Sequence, residues 1–346
     1  MKNTQDFIPL FKQFIKESEN GKRLKKNGEK ITSGTIDTYK SILFNLERFE
    51  LETNFEIRVC NILKLTSREL KSEKAYWEKF YKNFISFLYK KECFDNYVGI
   101  NIKIIRVFMN YLNNDKDMFI GEFHKKFYVV KEEIEILVLT PDQLKFLIHD
   151  KEFEKKLTIT QIKIKDIFVF GCATGLRFSD MFLLTNKNFE NVNGDWYLKI
   201  KTKKTKTYTS IKLSNFATTI YLKYKPKDSK SFVFGSKNLA NFNRSLKRIG
   251  EIAGFIHTVD VKRERQGVAK MVLPKKNKTR FCDNMSSHMM RRTAITTLLI
   301  YGMPELLVRK ISGHSSNSSS FHRYVHYAQV YIDKEISKVH EKLEMY

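Results

Sequence analysis

Several features that would assign a protein to a special class are missing from this sequence. It contains no run of about eighteen apolar residues, the length that a helix needs to cross a membrane. Residues 1–6 lack the apolar segment of a secretion signal, and no lipidation motif is present. We therefore expect a protein of the cytoplasm that has no membrane partner.

Cysteine is scarce and scattered. Cys60, Cys93, Cys172 and Cys282 form no Cys-x-x-Cys pair, which argues against both a disulfide framework and a zinc site. We expect four free thiols in a reducing compartment. The usual clusters of acidic metal ligands are also missing, so the sequence predicts no metal and no cofactor.

Negative charge is in short supply. The 346 residues include 63 Lys and Arg but 38 Asp and Glu, which leaves a formal net charge of +25. Such an excess favours a polyanionic partner, and nucleic acid is the first candidate. The length suits two domains, and a hydrophobic content of 42% is enough for each to have its own core.

The N-terminal third has the pattern of an all-helical unit. Aromatic and aliphatic residues recur there at the 3.6-residue period, and we interpret these stripes as core. No strand is predicted in residues 1–113, and residues 114–139, which lack a strong period, are predicted to be an interdomain linker. The predicted helices span residues 7–17, 32–49, 77–89 and 98–112.

The second domain is predicted to be mixed. It opens at Thr140-Pro141-Asp142-Gln143, a capping box with proline at the first helical position. Alternating residues then predict a small antiparallel sheet with a turn at Asn193-Gly194, and a second, strongly basic hairpin is predicted within residues 256–274. The predicted strands span residues 189–192, 196–200 and 207–213. Among the helices predicted in this domain are residues 162–173, 179–184, 217–224, 239–253, 305–311 and 330–343.

One stretch near the C-terminus carries groups suited to phosphodiester chemistry. His288 and Arg291 are three residues apart and would share one face of a helix, for which Ser287 is a candidate N-cap. A helix N-terminus attracts an anion such as phosphate. Gly313-His314 and Tyr324 follow, separated by a serine-rich stretch at 315–320.

The ordered motifs resemble those of the tyrosine recombinases, the phage integrase family. Residues 173–180, Ala-Thr-Gly-Leu-Arg-Phe-Ser-Asp, are similar to the turn that delivers the first catalytic arginine of that family, here Arg177. His288, Arg291, Gly313-His314 and the tyrosine follow in the order of the second signature. The basic stretch 201–206 matches the position of a catalytic lysine between two strands, and Lys204 fits best.

The resemblance implies a fold and an activity. We expect a mainly α protein with a small antiparallel β-sheet: a helical core-binding (SAM-like) domain at 1–113, a linker at 114–139 and a mixed α+β catalytic domain with a tail helix at 140–346. The implied enzyme cuts and rejoins double-stranded DNA through a 3′-phosphotyrosyl intermediate, without a cofactor. The implied catalytic residues are Arg177, Lys204, His288, Arg291, His314 and the nucleophile Tyr324. Asp180 is expected to brace the arginine turn.

The position of the tyrosine departs from the family pattern. The family commonly places it nine residues after the Gly-His histidine, which here is Arg323, whereas Tyr324 comes one residue later. An insertion in the serine-rich stretch would account for this, because loops absorb insertions. Tyr327 and Tyr331 remain alternative nucleophiles.

The biological role is open to several readings. We expect an integrase of a mobile element such as a phage or conjugative transposon. The alternatives are a chromosome-dimer resolvase, an invertase, a type IB topoisomerase-like relaxase or a non-catalytic DNA- or RNA-binding protein. The resemblance further implies a homotetramer on DNA, accessory DNA-bending proteins as further partners, and association with the nucleoid. Many integrases also carry an N-terminal arm-binding domain, and this chain begins with helical pattern instead.

Overall fold

The computed structural model describes residues 4–201, 208–271, 280–314 and 319–344. The chain forms two compact units. The first comprises Met1–Ile134 together with Lys262–Met271, and the second comprises Glu135–Val261 and Val272–Tyr346. Among the described residues, no helix is long and apolar enough to span a bilayer.

The first unit is a helical bundle around an aromatic core. Phe7, Phe11 and Phe108 are fully buried and their rings contact one another, as do those of Trp77 and Phe80. The prediction that the aromatic stripes form a core is therefore confirmed. The helices are α1 (Phe7–Glu19), α2 (Ser33–Thr53), α3 (Ser67–Lys90) and α4 (Asp95–Asp115).

The first unit also contains strands, so the prediction of a strand-free N-terminal third is wrong. Strand β1 (Thr4–Asp6) pairs antiparallel with β2 (Arg58–Cys60). Each strand has three residues, too few for an alternating pattern to be visible in a sequence. Helix α3 also begins earlier than predicted, because Thr66 and Glu69 form a capping box ahead of it.

The segment predicted as a linker is largely without regular structure but is not exposed throughout. Its one helical turn is a 3₁₀ turn at Phe123–Lys126. Ile120 and Phe127 are buried in the core of the first unit, while Val138 is buried in the second. The chain passes from one unit to the other between Ile134 and Glu135. The division into a core-binding domain that ends at residue 113 and a catalytic domain that begins at residue 140 stays a prediction.

A hairpin from the C-terminal half belongs to the first unit. Strands β6 (Lys262–Arg265) and β7 (Val268–Met271) pair antiparallel, which confirms the second predicted hairpin. The buried Glu132 carboxylate accepts hydrogen bonds from Arg263 Nε at 3.0 Å and Nη2 at 2.6 Å. The backbone N–H groups of the hairpin turn donate to buried Asp95. Nothing in the sequence pattern predicted this docking.

The second unit is built around α7, whose residues from Ile164 to Cys172 are all buried. Gly171 lies where α7 meets the helix that follows residue 286, since a Cβ there would come within 2.5 Å of Met290 Sδ. The capping box at Thr140 and Gln143 is present, as predicted. The helices up to the sheet are α5 (Pro141–His149), α6 (Lys151–Lys155), α7 (Ile159–Thr174) and α8 (Phe178–Met181).

The predicted three-stranded sheet is present in the second unit. Strands β3 (Phe189–Val192), β4 (Asp195–Lys201) and β5 (Tyr208–Lys212) pair antiparallel in sequence order. Leu198 lies opposite both Phe189 and Ile211, and all three are buried. The remaining helices are α9 (Asn215–Tyr224), α10 (Leu239–Ile252), α11 (Ser287–Ile300), α12 (Glu305–Ser312) and α13 (Ser319–Glu344).

Helix α13 corrects one prediction about the C-terminus. The sequence suggested a serine-rich loop leading to the tyrosine and a separate helix from residue 330. Instead, one helix of 26 residues begins at Ser319 and includes Tyr324 in its second turn. Serine is tolerated in the first turn of a helix, so the serine-rich composition hid the helix start.

Candidate active site

The turn after α7 presents Arg177. Gly175 ends the helix with φ 65°, a left-handed conformation that favours glycine, and its N–H donates to the Gly171 carbonyl at 2.9 Å. Arg177 follows at the N-cap of α8 and is half-buried. Its Nη1 is buried, and among the described residues it has no hydrogen-bond partner. A buried guanidinium N–H without a partner is suited to an anionic ligand.

Asp180 lies in the same turn. Its side chain is 1% exposed, and its backbone N–H donates to the Arg177 carbonyl at 3.0 Å. Burial lowers the pKa of Arg291, and the negative charge of Asp180 opposes this lowering, so it favours the charged guanidinium. This placement is compatible with the predicted bracing role, which stays a prediction.

The start of α11 differs by one residue from the prediction. Ser286, not Ser287, is the N-cap residue, with φ −150° and ψ 162°, and its side chain makes no capping hydrogen bond. The Ser287 N–H donates instead to Asn243 Oδ1 at 2.8 Å. A residue of α10 therefore satisfies one of the N–H groups that the start of a helix leaves without an intrahelical partner.

His288 and Arg291 differ sharply in exposure although they are three residues apart on α11. His288 is exposed, whereas Arg291 is 4% exposed. Arg291 Nη1 donates to the Gly175 carbonyl at 2.9 Å, and Nη2 donates to the Ser312 carbonyl. The guanidinium thus joins the turn after α7 to the end of α12.

Burial and neighbouring charge both act on Arg291. Burial lowers the pKa of Arg291 to about 10, and the positive charge of Arg177 adds to the effect, while Tyr324 and Asp180 oppose it. The guanidinium remains charged at neutral pH. The hydrogen bond from Arg291 to the Gly175 carbonyl places this guanidinium against the turn that presents Arg177, two residues further on, so two positive charges lie in one part of the molecule.

His314 follows the left-handed glycine that ends α12 and lies beside Arg291. Its Nδ1 is 2.8 Å from Ser312 Oγ and 3.4 Å from Arg291 Nη2. Burial lowers the pKa of His314 to about 4, and the charges of Arg291 and Arg177 contribute. The imidazole is therefore neutral at pH 7 in the free protein.

Tyr324 lies on the other side of His314. It is 5% exposed, and its ring centroid is 5.9 Å from that of His314. Among the described residues, the rings within contact of His314 are those of Tyr324 and Phe321; Tyr327 and Tyr331 are not among them. The geometry thus brings Arg291, His314 and Tyr324 together.

Lys204 lies outside the described residues. The strands on either side of it, β4 and β5, end at Lys201 and begin at Tyr208. Its predicted position between two strands agrees with this chain order, and its role stays a prediction.

Several residues near the site were missed by the sequence analysis. Ser312 contacts both Arg291 and His314, and Phe321 contacts His314 and Tyr324. Burial lowers the pKa of half-buried Arg292, whereas the proximity of Tyr324 raises it. One signal was available in the sequence: Phe321 is a large apolar residue directly after a run of serines, where a solvated loop would not be expected to carry one.

Comparison with known proteins assigns the chain. The model of the phage integrase family matches residues 138–330, which is more than half of the sequence. The chain belongs to the phage integrase family. The predicted family and enzyme class, a DNA breaking-and-rejoining tyrosine recombinase, are thereby confirmed. No curated protein sequence matches this chain.

Several solved protein structures share the fold of this chain although their sequences differ widely from it. A fragment of the Tn1549 transposon integrase with circular intermediate DNA is 17% identical, with a TM-score of 0.51 and coverage of 92% of this chain and 95% of that chain. A lambda integrase dimer bound to a COC′ core site is 11% identical, with a TM-score of 0.60, and the match covers 93% of this chain and 78% of that chain. XerH bound to palindromic difH substrate is 16% identical, with a TM-score of 0.60, and the match covers 94% of this chain and 84% of that chain. The predicted fold class is confirmed.

Proposed function

We propose that this protein is a site-specific DNA recombinase in which Tyr324 attacks a scissile phosphodiester. The observation that supports this most strongly is the meeting of Arg291, His314 and Tyr324 in one site, where Arg291 also binds the turn that presents Arg177. Arg291 lies in α11 and Tyr324 in α13, while His314 follows the end of α12 and Arg177 directly precedes α8. A protein that only held DNA by its charge would have no need to bury an arginine beside a histidine and a tyrosine.

The two arginines are proposed to stabilise the transition state. Attack on a phosphodiester builds extra negative charge on the non-bridging oxygens of the phosphorane. Arg177 has a buried Nη1 with no partner among the described residues, and Arg291 has five N–H donors, of which two bind backbone carbonyls. Guanidinium groups donate paired hydrogen bonds to such oxygens, which lysine cannot do.

The tyrosine, lysine and histidine side chains are proposed to carry out the attack and the proton transfers that accompany it. The Tyr324 oxygen gives its proton to a histidine of the site and forms the new bond to phosphorus, the bond to the 5′-oxygen breaks, and Lys204 protonates that leaving oxygen. His288 and His314 hydrogen-bond the phosphate and assist proton movement. The 3′-phosphotyrosyl ester conserves the energy of the broken bond for rejoining.

Double-stranded DNA is the proposed substrate. The net charge of +25 suits a phosphate backbone, and the three solved structures described above are DNA complexes. One of them belongs to a transposon integrase, which supports a role in the integration and excision of a phage or conjugative transposon. Such an enzyme would act in the cytoplasm, on the nucleoid.

A tetramer on paired DNA sites is proposed as the active assembly. The end of α13 leaves three large apolar side chains on its surface: Ile336 is 46% exposed, Val339 55% and Leu343 70%. They lie three and four residues apart, so they share one face of the helix. A neighbouring protomer would cover this face in the assembled synapse.

A suicide substrate tests the proposed chemistry. A duplex with a nick just beyond the scissile phosphate loses its short 5′-hydroxyl strand after cleavage, which prevents rejoining and accumulates the covalent complex. We expect wild-type protein to form an adduct that survives denaturation, with the label retained on the strand ending in the 3′-phosphate. Tyr324→Phe should bind the same DNA and form no adduct, because only the phenolic oxygen is lost. An adduct formed by Tyr324→Phe but not by Tyr327→Phe would overturn the proposal.

A further inference from the structure

Phe321 occupies a defined position between the end of α12 and the tyrosine. It lies in the first turn of α13, is fully buried, and is three residues before Tyr324. Its ring meets the ring of His314 at a centroid distance of 5.3 Å and an angle of 68°. It also meets the ring of Tyr324 at 5.9 Å and 74°. Both are edge-on contacts, the arrangement that aromatic rings prefer.

The face of the Phe321 ring is covered by a guanidinium. The Cζ atom of Arg309 is 4.1 Å from the ring centroid, and the Arg309 side chain is 8% exposed. A cation over an aromatic face is attracted by the ring quadrupole, more strongly where water is excluded. The face of the Phe321 ring therefore packs against the Arg309 guanidinium, while the ring also makes an edge-on contact with His314.

Arg309 is itself fixed in place. Its Nε is 2.7 Å and its Nη2 is 2.6 Å from Glu305 Oε1, one turn earlier on α12. A guanidinium held by two N–H groups has a defined plane, unlike a lysine ammonium. The Glu305 and Arg309 pair thus presents a flat, oriented surface to Phe321.

We propose that Phe321 is a positioning residue for the nucleophile, and that its stack on Arg309 sets the rotation of α13 that brings Tyr324 beside His314. This inference rests on the proposed role of Tyr324. Residues three apart on a helix lie on one face, so a rotation that moves Phe321 off Arg309 also moves Tyr324 away from His314. Phe321 and Arg309 do not touch the phosphate in this account; they act through the tyrosine.

The neighbouring packing residues provide no such orientation. Ile136, Val138, Ile295 and Val308 are the buried aliphatic residues of the small core around Phe321 and Tyr324. Aliphatic side chains resist separation but specify no ring plane. The Arg309 stack fixes the face of the Phe321 ring, as the contact with His314 fixes its edge, and a displacement of the reacting atom by about 1 Å can cost about 100-fold in rate.

The test separates binding from cleavage in Phe321→Leu, which keeps an apolar side chain but removes the ring. We expect single-turnover cleavage of prebound suicide substrate to fall by about 10- to 100-fold, with the Kd for DNA within about twofold of wild type. Arg309→Met should show the same split, and the double variant should be little worse than Phe321→Leu, because the loss of the ring already removes the contact with Arg309.

The first unit offers a matched control. Phe14 is also fully buried, and Arg23 Cζ lies 4.3 Å from its ring centroid. Phe14→Leu should lower thermal stability as Phe321→Leu does, yet leave the cleavage rate of the bound complex unchanged. An equal rate loss in Phe14→Leu would show that general destabilisation is the cause and would overturn the inference.

The outcomes also distinguish this inference from the proposed function. If Tyr324→Phe still forms the adduct, the proposed function fails. If Tyr324 carries the adduct but Phe321→Leu and Arg309→Met cleave at the wild-type rate, the positioning role alone is overturned. If circular dichroism shows that Phe321→Leu does not fold, Arg309→Met is the deciding variant. A slower cleavage at unchanged DNA affinity in that variant supports the positioning role of Phe321. Cleavage at the wild-type rate contradicts it.

Discussion

The Arg291 guanidinium donates a hydrogen bond to the Ser312 carbonyl, joining the middle of α11 to the last residue of α12. Its other terminal nitrogen donates to the Gly175 carbonyl at 2.9 Å. One side chain therefore holds together the turn that presents Arg177 and the residue next to the Gly-His pair. Arg291 has a structural part in the site in addition to its proposed part in catalysis.

Because Arg291 has both a structural and a proposed catalytic role, we expect its substitution to differ in effect from that of Arg177. Arg177→Lys and Arg291→Lys should each reduce the rate of DNA cleavage by about two to three orders of magnitude, as for the loss of an oxyanion donor. Arg291→Lys should also lower thermal stability, because a single ammonium cannot reach both carbonyls. Arg177→Lys should leave stability nearly unchanged.

Single-turnover cleavage and thermal unfolding measure the two effects. Arg248→Lys, at an exposed position of α10, is the control for the same chemical change. Cleavage within a few fold of wild type in both site variants would show that neither arginine contacts the scissile phosphate.

The protonation of His314 gives a second prediction. Burial and the charges of Arg291 and Arg177 lower the pKa of His314 to about 4, against 6.5 for an ordinary histidine. As the pH falls from 6.5 towards 4, the unfolded chain takes up a proton at this residue before the folded protein does. The stability that neutral His314 contributes is therefore present above pH 6.5 and is lost on acidification.

Nuclear magnetic resonance titration of the imidazole tests this directly. We expect a pKa well below 6.5 in the free protein and a higher pKa in the DNA complex, because a phosphate favours the charged ring. His314→Gln should lose less stability than wild type between pH 6.5 and pH 4. A pKa at or above 6.5 in the free protein would contradict the buried position of the ring.

The elements of this structure that the sequence predicted are those with a local signal. The capping box at Thr140, the left-handed turn at Gly175 and the hairpin turn at Asn193-Gly194 each follow from the conformational preference of a few adjacent residues. The order of the site residues could also be predicted, because a family motif is a local pattern too.

What could not be predicted depends on contacts between distant segments. The docking of the β6–β7 hairpin on Glu132 and the packing of Arg309 on Phe321 involve residues with no recognisable spacing. The start of α13 was missed for a different reason: serines also cap helices and form turns, so their composition does not decide between a loop and a first turn.

The docked hairpin can be tested at Glu132, whose side chain is fully buried. Burial raises the pKa of Glu132, but hydrogen bonds from Arg263 and from backbone N–H groups more than compensate and hold it below its usual range. Glu132→Gln should weaken the docking by about 3 kcal/mol, the usual cost of breaking a buried ion pair. The hairpin should also loosen as the pH falls through this lowered pKa.

Hydrogen–deuterium exchange of residues 262–271 measures this loosening. We expect faster exchange in Glu132→Gln and wild-type exchange in Glu133→Gln, since Glu133 is exposed and adjacent. Equal exchange in all three proteins would mean that the ion pair does not hold the hairpin.

The apolar end of α13 leads to a prediction about assembly. Val339→Glu, alone or with Leu343→Glu, should leave binding to a single DNA site intact but impair pairing of two sites and strand exchange, because a charge cannot be buried at an apolar contact without cost. Ser337→Glu adds the same charge at an exposed polar position and is the matched control. Gel-shift and recombination assays measure the two steps, and recombination at the wild-type rate by the double variant would contradict the proposed contact.

The most direct measurement of the central claim is the identity of the residue that becomes attached to DNA. The covalent complex trapped on a nicked suicide substrate can be digested with protease and nuclease, and the nucleotide-bearing peptide sequenced by mass spectrometry. We expect a nucleotide linked through its 3′-phosphate to Tyr324. Attachment at Tyr327 or Tyr331, or at any residue other than a tyrosine, would contradict it.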